Sequence, residues 1–160
     1  LRRTWGFDCA CERCARGLDH GGDEQHLHGV RCTACGALIA ELEGELCSCG
    51  KDDPEARRTV LDRAMTVKSK AMDLLKRSQH GLVGERERVG DEAAQLLREV
   101  LGLLRGTLSG LHQEVLVVMT LLAQAEERSG RVDEHGKLTA EIDRSCQARN
   151  TWISGPPPGG

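Results

Sequence analysis

The sequence predicts a mainly α-helical protein, with short cysteine-rich segments followed by antiparallel helical hairpins. Three observations predict it. Good helix formers (Leu, Ala, Glu, Arg) are plentiful, while aromatics make up only 2% of the 160 residues, too few for a large sheet core. Seven of the eight cysteines fall within residues 9–49. Beyond residue 50 the cysteines thin out, and apolar residues recur at steps of three and four, the period of a helix face.

Each segment follows from its own residues. Residues 1–16 form a short cysteine-rich segment. Residues 17–30, GLDHGGDEQHLHGV, are rich in Gly, Asp and His and read as a loop. Residues 31–50, RCTACGALIAELEGELCSCG, carry two close cysteine pairs, with Gly36 and Gly50 each following a cysteine. Glycine there lets the backbone turn so that amide N–H groups face the sulfurs.

A helical domain is expected over 54–149. Asp53-Pro54-Glu55 supplies an N-cap, a proline in the first turn and an acid near the positive helix end. Val60, Ala64, Val67, Ala71 and Leu74 share one face of a helix from Pro54 to about Gln79. Residues 80–90, glycine-bearing and charged, read as a loop. A second helix starts at Asp91, with Leu97, Val100, Leu101, Leu104 and Leu108 as its buried stripe. Its glycines each cost about 1 kcal/mol relative to Ala, so packing must stabilise it. A third helix covers about 113–129, burying Val115, Val118, Met119, Leu122 and Ala125, and Ser129-Gly130-Arg131 ends it. A fourth covers about 133–149, with Leu138, Ile142 and Cys146 on its inner side. Residues 150–160 end in SGPPPGG and read as a flexible Pro/Gly tail. Helices three and four resemble one tetratricopeptide-type unit through Leu122-Ala123 and Gly130, although His135 and Thr139 stand where that pattern wants other residues.

The net charge of −3 implies no general affinity for nucleic acid. The basic excess of residues 54–89 is spread along a helix of mixed charge and reads as a solvated face. No stretch is apolar enough to span a bilayer.

The cysteine spacing is C-x-C-x-x-C, then C-x-x-C and C-x-C. A disulfide framework and thiolate zinc both need many cysteines. The close pairs favour Zn2+, because one turn then offers two sulfurs to a tetrahedral ion. Cys32, Cys35, Cys47 and Cys49 form a complete four-thiolate set with no position left for water, hence a structural site. Its formal charge of −2 asks for nearby donors, and Arg31 and Lys51 flank it. Cys9, Cys11 and Cys14 offer only three ligands. His20, His26 or His28 is one source of a fourth, and a residue outside this chain is the other. Thiolate zinc implies a reducing compartment, cytoplasm or nucleus.

The string Trp5-Gly6-Phe7-Asp8-Cys9-Ala10-Cys11-Glu12-Arg13-Cys14 resembles the post-SET segment of SET–MYND protein lysine methyltransferases, which reads aromatic, any residue, Phe, any residue, C-x-C-x-x-C. Leu111-His112-Gln113-Glu114-Val115 is similar to the start of a C-terminal repeat helix in that family, with Gln113 in place of Pro. The resemblance implies a chain that is the C-terminal part of a longer enzyme transferring methyl groups from S-adenosylmethionine to a substrate protein's lysine. It implies that Phe7 packs on the cofactor's adenine. It implies that Trp5, where Tyr is usual, walls the lysine channel. It also implies that a SET-domain cysteine completes the zinc of Cys9, Cys11 and Cys14. No MYND motif is present, and the fragment alone is expected to be inactive. The alternative is a non-enzymatic module, a zinc ribbon joined to helical repeats that hold a peptide, with Arg57, Arg58, Lys68 and Lys70 lining a groove.

Overall fold

The computed structural model describes residues 27–39, 47–79 and 82–154, the last five by backbone alone. A two-stranded antiparallel hairpin, β1 (Val30–Arg31) and β2 (Leu38–Ile39), pairs Val30 with Ile39 and Arg31 with Leu38. Four helices follow: α1 (Pro54–Ser78), α2 (Val83–Thr107), α3 (Gln113–Arg128) and α4 (Val132–Ser154). The fold is mainly helical, as expected, and each helix packs against the next in a series of hairpins.

Helix α1 starts where the capping residues place it. The Asp53 carboxylate accepts the Ala56 N–H at 3.0 Å, with Pro54 in the first turn. Ala64, Ala71, Leu74 and Leu75 are buried, while Val60 and Val67 flank them, half-buried. Lys76 and Arg77 lie in the last turn, where the helix dipole favours cations.

Helix α2 begins at Val83, eight residues before the expected Asp91. The glycines and charges of residues 83–90 suggest a loop, but Val89 is only 2% exposed and Gly90 lies against α3. A Cβ on Gly90 would stand 2.9 Å from Ser129 Oγ and 3.4 Å from the Ala125 carbonyl. Close approach to α3 thus uses the glycine that local propensity counts against the helix. Leu97, Val100 and Leu104 are fully buried between α1 and α3.

The His112 ring caps α3, with Nδ1 accepting the Glu114 N–H at 3.1 Å. At the other end Gly130 has φ +75°, and the N–H groups of Gly130 and Arg131 donate to the carbonyls of Glu127 and Glu126. These are the paired bonds of a glycine-terminated helix, and they reverse the chain into α4.

Two contacts fix α1 and α3 in parallel. Lys68 Nζ reaches Glu114 at 2.6 Å, and about three turns further along α1 and four along α3 Arg128 Nη1 reaches Ser78 Oγ at 2.9 Å and the Leu75 carbonyl at 2.6 Å. Glu126, fully buried, pairs with Arg98 of α2 and with Arg131, which also holds Asp91. A buried carboxylate needs such partners, and this one joins α2, α3 and the start of α4.

Helix α4 packs mainly on α3, with an ion pair from Glu141 to Arg105 of α2. Leu138 and Ile142 are half-buried against the core. Cys146, expected on the inner side, is exposed. With its packing mainly on one side, the buried stripe of α4 is too narrow to include it. Helix α4 also continues to Ser154, so residues 150–154, expected in a flexible tail, are helical.

The hairpin docks on the C-terminal end of α2. Val30 forms a bridge with Leu108, Ser109 N–H donates to the Gly29 carbonyl at 2.9 Å, and Arg31 Nε donates to the Leu108 carbonyl at 3.2 Å. Leu27 and Val30 are buried. The end of the expected 17–30 loop is therefore part of the core, because Leu27 and Val30 are apolar residues within reach of α2.

Candidate metal centre

The turn between β1 and β2 holds the first cysteine pair. Gly36 has φ +72°, a backbone conformation that side chains disfavour. It lets the strand return, with Cys32 N–H donating to Ala37 O at 2.8 Å and Gly36 N–H to Cys32 O at 3.0 Å. Gly50, at φ +66°, closes the second pair in the same way, its N–H donating to Cys47 O at 2.9 Å.

These two turns bring the sulfurs of Cys32, Cys35, Cys47 and Cys49 together, all within 4.8 Å of one another. Cys32 and Cys49 lie 3.5 Å apart, as do Cys35 and Cys47. A tetrahedral zinc with bonds of about 2.3 Å sets its sulfurs about 3.8 Å apart, so the observed spacing suits that ion. The four residues could hold a metal ion, and with four thiolates the tetrahedron is full.

Backbone N–H groups face the sulfurs. Those of Ala34 and Cys35 donate to Cys32 Sγ at 3.4 and 3.5 Å, and that of Lys51 donates to Cys49 Sγ at 3.4 Å. The Cys35 N–H, aided by the Ala34 N–H, draws the Cys32 thiol down to about 7, against the pull of burial. At Cys49 the Lys51 N–H lowers the pKa, but the neighbouring thiols and burial outweigh it and push the thiol up to about 12. Four thiols so close resist carrying several negative charges without a cation. The expected contribution of the Arg31 side chain to the sulfurs is not what the structure shows. Its guanidinium instead donates to the carbonyls of Leu108 and Gly36 and pins the hairpin to α2.

A supporting carboxylate went unforeseen. Asp52, its side chain 1% exposed, accepts from Thr33 N–H at 3.0 Å, from Thr33 Oγ1 at 3.2 Å and from Arg57 Nη1 at 2.8 Å. Thr33 Oγ1 in turn accepts the Asp53 N–H at 2.8 Å. The first cysteine turn is thereby locked to the start of α1. The Arg57 guanidinium, with the Thr33 N–H, holds the Asp52 carboxyl below its ordinary 3.8. The clue available in sequence was an acid between the last cysteine turn and the Asp53 cap.

Other candidates fall apart or lie elsewhere. Trp5, Phe7, Cys9, Cys11, Cys14, His20 and His26 lie outside the described residues. His28 stands against His112, ring centroids 6.3 Å apart and nearly perpendicular. The four bases expected around a groove do not gather. Arg57 binds Asp52, Arg58 pairs with Glu55, Lys68 pairs with Glu114, and Lys70 sits beside Asp73 and Glu92 in a shallow cleft between α1 and α2. No described helix is long and apolar enough to cross a membrane. No protein-family model, curated protein or solved structure matches the chain.

Proposed function

We propose that this chain is the C-terminal part of a SET–MYND-type protein lysine methyltransferase that uses S-adenosylmethionine. The single observation that carries this reading is the string Trp5-Gly6-Phe7-Asp8-Cys9-Ala10-Cys11-Glu12-Arg13-Cys14. In this reading Cys9, Cys11 and Cys14 hold a structural zinc whose fourth ligand is a SET-domain cysteine. Phe7 packs on the adenine of the cofactor, and Trp5 walls the channel that orients the substrate lysine. Orientation of a neutral amine in line with the methyl group is the protein's share of such a transfer. Cys32, Cys35, Cys47 and Cys49 hold a second structural zinc. Its role is mechanical: it clamps the end of α2 to the start of α1, in the cytoplasm or nucleus.

The test begins with the reading frame upstream of Leu1. An Asn-His-x-Cys stretch shortly before Trp5 is expected, and the protein encoding both should transfer labelled methyl groups to lysine. An upstream frame without that cysteine, or methyl transfer by the 160 residues alone, overturns the proposal.

A second reading is a non-enzymatic module that holds a peptide. The series of hairpins formed by α1, α2, α3 and α4 favours it, since a helical-repeat module would have that arrangement. A stoichiometric peptide complex formed by a protein with no methyltransferase domain would support it over the first.

A further inference from the structure

We propose that the four-cysteine centre is a reversible oxidant-responsive clamp, whose oxidised form carries disulfides between its two turns, Cys32 with Cys49 and Cys35 with Cys47. The inference rests on the reading of this centre as a zinc site.

Cys35 and Cys49 are exposed, whereas Cys32 and Cys47 are buried. Each close pair, at 3.5 Å, joins one exposed sulfur to one buried sulfur from the other turn. A small soluble disulfide can therefore reach an outer sulfur, and the inner sulfur beside it is placed to complete the exchange. A Cys-x-Cys bridge within the second turn would close a much smaller ring and distort the turn that Gly50 sets. Distortion of that kind stores strain and disfavours the bond.

The chemistry balances with a disulfide RSSR as oxidant. With zinc bound all four sulfurs would be thiolates, and the exposed Cys49 thiolate attacks one sulfur of RSSR, forming a mixed disulfide and releasing RS−. The Cys32 thiolate then displaces the second RS− and forms the Cys32–Cys49 bond. Cys35 and Cys47 react likewise with a second RSSR. Four cysteine thiolates lose four electrons, two RSSR become four RS−, and the ion, left without thiolate ligands, departs as Zn2+. An excess of dithiol reverses every exchange.

The consequence reaches the helices, because the same turns carry the contacts to them. Thr33, between Cys32 and Cys35, holds Asp52 and Asp53 at the start of α1, and Arg31 holds the end of α2. Drawing the sulfurs to bonding distance shifts these anchors.

The test uses the full chain, loaded with zinc and treated with oxidised glutathione. A metal-binding dye follows zinc release, and the protein is then cut after glutamate without reductant. Glu41, Glu43 and Glu45 separate the two cysteine pairs. The expected result is zinc release together with a fragment ending at Glu41 that stays covalently joined to one beginning at Leu46. Dithiothreitol should separate them and restore zinc binding. Cys49→Ser should remove the Cys32 link and leave the Cys35 link. Fragments that separate without reductant would show bridges within each turn or none, and either overturns the proposal. So does retention of zinc under oxidant. A chain that binds no zinc at these cysteines before oxidation overturns the underlying metal reading instead, and the fragment masses distinguish that case.

Discussion

The carboxylate of Asp52 accepts the backbone N–H of Thr33 at 3.0 Å across nineteen residues of chain. The cysteine turn and the first helix are thereby one mechanical unit, with Arg57 reaching back from α1 to the same carboxylate at 2.8 Å.

Asp52→Asn should destabilise the metal-loaded protein by about 1–3 kcal/mol, the cost of weakening a buried hydrogen-bonded group. Thermal unfolding measures it. The sign with pH follows from the lowered pKa of Asp52. A depressed carboxylate contributes fully above its unfolded value of 3.8 and loses that contribution only as pH falls through its folded value. The gap between wild type and Asp52→Asn should therefore be constant from pH 6 to pH 8. A gap that changes across that range would contradict the assignment.

Removal of metal by a chelator under reducing conditions should loosen the cysteine turns and spare the helices. The helix core has its own buried residues, among them Leu97, Leu104, Val118 and Met119. Hydrogen exchange should speed up at Cys32 N–H and Ser109 N–H, whose acceptors are Ala37 and Gly29 in the hairpin. Protection at the middle of α2 and α3 should persist. Equal loss at all these amides would show that the helices need the metal to fold.

Alanine substitutions of glycine within α2 should have opposite signs. Gly102 and Gly106 have open space where a Cβ would stand, so Gly102→Ala and Gly106→Ala should each stabilise by up to about 1 kcal/mol. Gly90→Ala should destabilise by about 1–2 kcal/mol, because its Cβ would meet Ser129 Oγ at 2.9 Å and backbone behind it. Denaturant unfolding of the three variants provides the comparison, and a stable Gly90→Ala would refute the close approach of α2 and α3.

Glu126→Ala should be the most damaging of these changes, at about 3 kcal/mol. It leaves Arg98 and Arg131 facing a buried gap, and Arg131 Nη2 already has no partner among the described residues. Chemical denaturation reads the loss. A cost below half of this would mean that solvent replaces the carboxylate for both arginines.

Much of the helical plan was legible in local chemistry. Asp53-Pro54 marks the start of α1, Gly130 marks the turn into α4, and the apolar stripes of α2 and α3 are those that the structure buries. The first two turns of α2 were not legible. Their two glycines and their charges argue for a loop, and the burial of Val89 and the fit of Gly90 against Ser129 and Ala125 hold them in the helix. Cys146 misled in the opposite direction, since periodicity alone does not say how many neighbours a helix has.

By itself the sequence determined which residues could become metal ligands and where most of the helical segments lie. Both depend on spacing and on short-range preferences: two cysteines per turn, a glycine after each pair, the Asp53 cap before α1 and the apolar period of each helix. Only the tertiary structure decided what the cysteine turns are fastened to. The contacts of Thr33 with Asp52, Arg31 with Leu108, and Glu126 with Arg98 and Arg131 join positions far apart in the chain. Such pairings arise because buried charges and backbone groups must find partners once packing excludes water. No periodicity in the sequence announces which partner that will be.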